Sequence, residues 1–380
     1  MRDLASLRAE FALAPGLLYM NHAAVAPWPR RAADAACRFA QENAATGAAH
    51  YPRWLETEQR LRQRLARLIN AAPDDVALLK NTSEGLSTVA FGLSWGPGDS
   101  VVGVASDFPS NRVVWEALAE YGVGFRGVEV NGVADPESAL MAACDASTRL
   151  LAVSWVHYVT GLTLDLERLG EFCRQRDILF CVDAIQGLGA LPIDVRACRV
   201  DFLAADGHKW LLGPEGIAVF YCRPEVRDRL RLRQIGWHSL EHPGDYDCPA
   251  WSLATSARRF ECGSPNLLGI HALEASLSLL EEIGADWIAG RVRGNTRRLR
   301  EACRSLPTVE VRGPEEPGRW SGIVSLRVAD RDSARLVSRL AAAGILCASR
   351  GGGVRLSPHF YFQDNEIERC LNALCVLIAE

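Results

Sequence analysis

The sequence predicts an α/β protein: a mainly parallel sheet with helices on both faces, followed by a smaller α+β domain. Between about residues 75 and 225, the short β-branched or apolar runs DDVALL, SVVGVAS, RLLAVSWV, DILFCVD, DFLAAD and GIAVFYC alternate with helical stretches, the pattern of strands covered on two sides. The 380 residues suffice for one large core and a second, smaller one. With 48% hydrophobic and 23% charged residues, the composition is that of a folded globular chain.

Each stretch has its own reason. Residues 1–20 read as a lead in which Arg2, Asp3, Arg8 and Glu10 break the apolar core that a secretion signal needs. Residues 29–45 and 54–70 return an apolar side chain every three or four positions among Arg, Glu and Gln, which predicts two amphipathic helices. The alternating strands and helices complete a large domain over 21–265. Residues 267–305 predict one or two long helices, LLGIHALEASLSLLEEIG being the clearest. GIVSLRV, GILCAS and GVRLS predict short strands, and DNEIERCLNALCVLIAE an amphipathic terminal helix. These form a small domain over 266–380, with which the lead is free to pack.

A net charge of −4 and a pI near 6.1 offer no basic surface for nucleic acid. No uncharged apolar run reaches the roughly eighteen residues of a bilayer span, so no membrane partner is expected and the chain is assigned to the cytoplasm. The twelve cysteines are scattered, without a C-x-x-C pair. Most of them read as reduced, buried side chains, and no metal site is expected.

In open α/β sheets, ligands bind beyond the carboxyl ends of the strands, and the polar clusters of this chain fall there. AADGHKWLLGPEG (204–216) brings Asp206, His208 and Lys209 to one such end. A lone lysine is usually a solvated amine; this one is also placed to bond a carbonyl covalently. FCVDAIQGLGA (180–190) sets Asp183 directly after an apolar strand, with Gln186 three residues on, either as a turn cap or as a carboxylate facing the crevice. The 26 residues from Asp183 to Lys209 are about one β-α-β step, so the two strand ends can converge. KNTSEGLSTVAFGL (80–93) opens a helix with Thr82, Ser83 and Gly85. It is either a plain N-cap or a phosphate cradle in which Gly85 lets the backbone approach the ligand. RRFECGSPN (258–266) has no helical or strand period, and GGGVRLSPHFY (351–361) carries Arg355 behind three glycines. One ligand explains all of these: a phosphorylated heteroaromatic with a carbonyl for the lysine and a ring nitrogen for the carboxylate, acting on a substrate whose carboxylate pairs with the arginine. Pyridoxal 5′-phosphate (PLP) has these features.

The motifs TSEG, DAIQ, GHKW-LLGPEG, RFE-GSPN and RLSPHFY, in this order, resemble the class V aminotransferase group of fold-type I PLP enzymes, which includes cysteine desulfurases, kynureninase, isopenicillin N epimerase-like proteins and C–S lyases. The resemblance runs from about 17 to 378 and implies a seven-stranded sheet in the large domain. It implies that Lys209 bonds the cofactor carbonyl and moves the proton at the substrate Cα. Asp183 would pair with the ring nitrogen, and Gln186 would touch the ring hydroxyl. Thr82, Ser83 and His208 would take the phosphate, with Asp206 beside them. Gly263 and Ser264 would reach it from the other subunit of a homodimer. Arg355 would clamp the substrate carboxylate in a bidentate geometry. In SDFPSNRVVW, Phe108 stands where kynureninase-like members stack an aromatic ring on the cofactor. In SWVHYVTG (154–161), Trp155, His157 and Tyr158 are placed to line the pocket, and NHAAVAPWP (21–29) adds Asn21 and His22 on the substrate side.

Cofactor residues do not select among reactions at Cα. Desulfurases carry a nucleophilic cysteine on a mobile loop before the arginine, whereas Cys347 in GILCASR reads as a core residue of a strand. The expectation is therefore Cα–H abstraction from a small L-amino acid, leading to transamination or to β-elimination as a C–S lyase. An epimerase or kynureninase-like hydrolase is the alternative, followed by a cysteine desulfurase and then a non-catalytic PLP-binding protein.

Overall fold

The computed structural model describes residues 3–247, 250–306 and 308–379. Met1, Arg2 and Glu380, which belong to the expected lead and terminal helix, lie outside the described residues.

A short helix α1 (Leu4–Ala9) and a two-residue strand β1 (Leu18–Tyr19) precede α2 (Arg30–Thr46) and α3 (Tyr51–Ile69). The large sheet comprises β2 (Val76–Leu79), β3 (Ser100–Val104), β4 (Gly124–Val128), β5 (Thr148–Ser154), β6 (Leu179–Asp183), β7 (Phe202–Asp206) and β8 (Ala218–Cys222). Between these strands lie α4 (Thr82–Gly92), α5 (Ser110–Glu116), α6 (Pro136–Ala142) and α7 (Leu166–Gln175). The strand order is β2-β8-β7-β6-β5-β3-β4, and β8 alone runs antiparallel to its neighbours.

Every residue of β2, β3, β6, β7 and β8 is buried, because strands covered on both faces need near-continuous apolar runs. Alternate side chains feed two cores. Leu151, Val153, Phe180 and Val182 enter one; Leu150, Ala152, Leu179 and Cys181 enter the other. The chain reverses its direction across the sheet between β3 and β5, since β4 is added outside β3 and β5 returns to its other side. The carboxyl ends at such a reversal form a crevice. The sequence pattern does not announce β4: GFRGV is a partly exposed edge strand with two glycines and an arginine.

After α8 (Pro224–Arg227), a long loop leads to α9 (Leu267–Ile283) and α10 (Ala285–Arg304). The remainder is β9 (Val309–Arg312), β10 (Val324–Val328), α11 (Ser333–Ala342), β11 (Ile345–Leu346), β12 (Ala348–Arg350), β13 (Gly353–Leu356) and α12 (Asp364–Ala379). Antiparallel pairing orders the second sheet β12-β13-β10-β9. Helix α9 packs on α2 and α3, whereas α10 packs on β9 and β10. Along the chain, the packing partners change from α2 and α3 to β9 and β10 at Gly284. At the N-terminus, β1 pairs in parallel with β11, Arg8 Nε lies 3.1 Å from Glu366 Oε1, and the Phe11 ring stacks on Tyr361. Among the described residues, no helix is long and apolar enough to cross a membrane.

Candidate active site

The carboxyl ends of β2, β3, β5, β6 and β7 share one edge of the large sheet, and the polar side chains expected there meet on it. Thr82 opens α4 and is buried, its Oγ1 accepting the backbone N–H of Asp206 at 3.0 Å. Asn81 caps the same helix through the Glu84 N–H. Ser83 Oγ lies 2.8 Å from Ser110 Oγ, which joins the starts of α4 and α5. Gly85 corrects one expectation. A Cβ there would stand 2.8 Å from Ala204 Cβ and 3.2 Å from the Phe220 ring, so this glycine brings α4 close to the sheet and does not open the backbone to a ligand.

Lys209 follows β7 and is 9% exposed, which overturns the ordinary expectation of a solvated amine. Burial pushes its ammonium down to about 8, Arg355 and Arg350 push the same way, and Asp183 and Asp206 oppose them. Its Nζ stands 5.7 Å from the centre of the half-exposed Phe108 ring, which meets Tyr158 edge-on. Asp183 ends β6, directly beside β7. It accepts the Ile185 N–H at 2.9 Å and Asn111 Nδ2 at 2.6 Å, and burial raises its carboxyl to about 6. Gln186 donates to the Ala23 carbonyl and accepts Trp210 Nε1.

Arg355 lies on β13, almost wholly buried, and Nη1 donates to the Tyr158 carbonyl at 2.8 Å. Its Nε, together with Asn21 Oδ1 and Asn111 Oδ1, is buried without a hydrogen-bond partner among the described residues. His208 Nδ1 is 3.1 Å from Asp206 Oδ1, close enough for an ion pair but misaligned for a hydrogen bond. Buried polar atoms are rarely left unpaired. A ligand offering acceptors to Arg355 and His208 and a donor to the asparagines and Asp206 would satisfy them, so the donor set fits PLP and a substrate carboxylate.

Other placements differ from expectation. His22 is fully buried, with Nδ1 2.9 Å from the Ser357 carbonyl and Nε2 2.7 Å from the Tyr361 hydroxyl. Both ring nitrogens are committed, so His22 ties the N-terminal segment to the small domain and is not a substrate ligand. Trp155 is packed into the main core against Gly187, because the side chain after Ser154 must point to the opposite face of the sheet. His157 is likewise committed, to Ser106, Asn131 and Thr160. Gly263 has open space where a Cβ would go, and Ser264 is exposed. Cys347 is buried between β11 and β12, its thiol pushed up to about 12 by burial. Glu58, His238 and Glu261 form a buried group of metal-ligand types, but the Arg62 guanidinium already bonds both carboxylates.

Three site residues escape the sequence reading: Asp107, Asn111 and Ser154. All are buried, and Asn111 bonds Ser154 Oγ as well as Asp183. The signal available for them was position alone, a strand-terminal serine and two polar residues flanking Phe108-Pro109-Ser110.

The fold is that of an enzyme that uses PLP. The aminotransferase class-V family model matches residues 18–369, and the chain belongs to that family. It is 31% identical to a probable cysteine desulfurase of Methanothermobacter thermautotrophicus, over 95% of each chain. The cysteine desulfurase of Thermococcus onnurineus NA1, solved in its apo form, superposes with a TM-score of 0.89 at 26% identity, covering 100% of this chain and 99% of that one. A solved complex of the cystine C–S lyase C-DES with its product cysteine persulfide superposes at 0.87 with 25% identity, covering 95% and 97%.

Proposed function

We propose that the protein cleaves the Cβ–S bond of a cysteine-derived L-amino acid by β-elimination, as a C–S lyase that keeps no sulfur on its own thiol. The observation that carries this reading is Cys347. It is the one cysteine between residue 304 and Arg355, and it is buried beside a strand with its thiol pushed up to about 12. Only a thiolate attacks sulfur, so Cys347 has neither the ionisation nor the mobility of a persulfide carrier. Similarity to a desulfurase and to a cystine C–S lyase supports C–S cleavage; the buried thiol favours the lyase outcome.

Bound PLP supplies an electron-poor ring that accepts the electron pair left at Cα. Asp183 holds the ring nitrogen, Gln186 the ring hydroxyl, and Phe108 covers the ring. Thr82, Ser83 and His208 hold the phosphate at the start of α4, where free backbone N–H groups favour an anion. Gly263 and Ser264 of a second copy complete that subsite in a homodimer. Arg355 orients the substrate through its carboxylate, with Asn21 and Tyr158 beside it. Lys209 Nζ takes the Cα proton, and an ammonium of pKa about 8 is well matched to do so near neutral pH. As the electron pair at Cα forms a Cα=Cβ bond, the Cβ–S pair leaves with the sulfur, and water converts the released enamine to pyruvate and ammonium.

Turnover of the holoenzyme with L-cystine, L-cysteine and cysteine S-conjugates, assayed for pyruvate and sulfide or persulfide, tests the proposal. Pyruvate together with a sulfur product and an unchanged cofactor spectrum is expected. Conversion of the cofactor to its amine form without sulfur release would establish transamination instead. Cys347→Ser should retain at least half of the activity, and its loss would return Cys347 to a sulfur-carrying role.

A further inference from the structure

Asp107 is a further buried carboxylate in the crevice, and none of the roles above uses it. It accepts the Phe108 N–H at 2.7 Å, the Ser154 N–H at 3.1 Å and the Ser154 hydroxyl at 2.7 Å. Ser154 Oγ accepts Asn111 Nδ2 at 3.1 Å, and the same Nδ2 donates to Asp183 Oδ2 at 2.6 Å. The loop after β3, the end of β5, the first turn of α5 and the end of β6 thus contribute one continuous, buried hydrogen-bond chain. We propose that Asp107, acting through Ser154 and Asn111, is a positioning residue that fixes the Asn111 amide and, through it, the Asp183 carboxylate against the ring nitrogen of PLP. This rests on the reading that Asp183 takes that nitrogen.

Direction along the chain supports the proposal. The Ser154 hydroxyl proton is committed to Asp107, so its oxygen lone pairs face Asn111. Asn111 must then present Nδ2, with one hydrogen for Ser154 and the other for Asp183, and its Oδ1 is left buried and unpartnered. The charge of Asp107 raises the Asp183 carboxyl, in the same direction as burial, whereas the hydrogen bonds from Ile185 and Asn111 and the charge of Lys209 lower it. The ionisable groups facing Asp183 are Asp107 across β5, Lys209, and the Cys181 thiol on β6, which burial keeps protonated. Asp206 and Arg355 act on Lys209.

The test compares Asp107→Asn, Ser154→Ala, Ser154→Thr and Asp183→Asn by PLP affinity and by the pH midpoint of the visible cofactor band in the holo-protein. Asp107→Asn and Ser154→Ala should each weaken PLP about tenfold and move the midpoint up by about one unit, because a ring nitrogen held less firmly in its charged form repels the proton of the Lys209 linkage less. Ser154→Thr, which keeps the hydroxyl, should restore both to within about twofold. A purely structural role would lower stability without moving the midpoint, so urea unfolding of each cofactor-free variant is recorded alongside. Should Asp107→Asn fail to fold, the Ser154→Ala and Ser154→Thr pair decides. If Asp183→Asn shifts both readouts while Asp107→Asn and Ser154→Ala behave as wild type, the role of Asp107 is overturned and that of Asp183 stands. If Asp183→Asn shifts neither, the reading of Asp183 fails and takes this proposal with it.

Discussion

Burial changes the chemistry of Lys209. With its ammonium pushed down to about 8, roughly half the side chains are neutral at pH 8, against less than one in a hundred for a solvated amine. Capture of PLP by the cofactor-free protein needs the neutral amine. Its rate, followed by stopped-flow absorbance, should therefore rise with a midpoint near pH 8; a midpoint above 10 would make Lys209 an ordinary surface amine. Asp183 shifts the other way. Its carboxyl is raised from 3.8 to about 6, so the folded chain binds the proton more tightly than the unfolded one. The stability this gives is complete below pH 4 and is lost as pH rises through about 6. Asp183→Asn should accordingly stabilise the cofactor-free protein at pH 8 by about 3 kcal/mol in urea unfolding, while weakening PLP. The new amide can keep the bond from Asn111 by presenting its oxygen to Nδ2. Lys209 and Asp183 were legible because each ends an apolar run and stands in a motif. Trp155 and His22 were misplaced for two reasons. Strand alternation gives the crevice to Ser154, and the partners of His22, Ser357 and Tyr361, lie more than three hundred residues away.

At the level of elements, the site depends on how closely α4 lies on the sheet. Gly85→Ala brings two opposing effects. Helix propensity favours alanine by about 1 kcal/mol, but the new Cβ would meet Ala204 Cβ at 2.8 Å, on a buried central strand that has no room to retreat. Overpacking of this kind costs about 1–3 kcal/mol, and it should win. The helix would also be displaced at the end carrying Thr82 and Ser83. The expected result is lower stability with weaker PLP binding; a variant unchanged in urea midpoint and in PLP affinity would show that the contact is soft. The start of α4 was legible from Thr82, Ser83 and the strand before them, although the residue that caps it is Asn81. The reason for Gly85 was not, since a sequence shows that a backbone must come close but not to what. The edge strands β4 and β9 escaped for a related reason. Half-exposed pleats with glycine, glutamate or arginine lack the apolar run that marks a buried strand.

Across the whole molecule, one core runs from the large sheet through the small domain, joining Phe180 and Val182 to Leu326, Val354 and Phe360. The mainly parallel sheet and the second domain could be anticipated from the alternation of patterns, whereas this continuity depends on pairings between distant segments. Two buried histidines mark the join. His359 Nε2 donates to the Trp210 carbonyl, next to Lys209, and its Nδ1 accepts the Phe360 N–H. That arrangement exists only in the neutral ring. Burial accordingly holds His359 down to about 4 and His22 well below its ordinary value. Their sign is opposite to that of Asp183: a histidine with a depressed folded pKa contributes stability above about pH 6.5 that is lost as pH falls through the folded value. For His359 the loss amounts to about 3 kcal/mol by pH 4. In the cofactor-free chain the buried carboxylates partly offset it. His359→Gln keeps a donor for Trp210 but has no proton to gain. It should start less stable than wild type at pH 7 and then lose less on going to pH 4.5, measured by urea unfolding. Equal losses in the two proteins would mean that the histidine at the join does not set the acid limit of the fold.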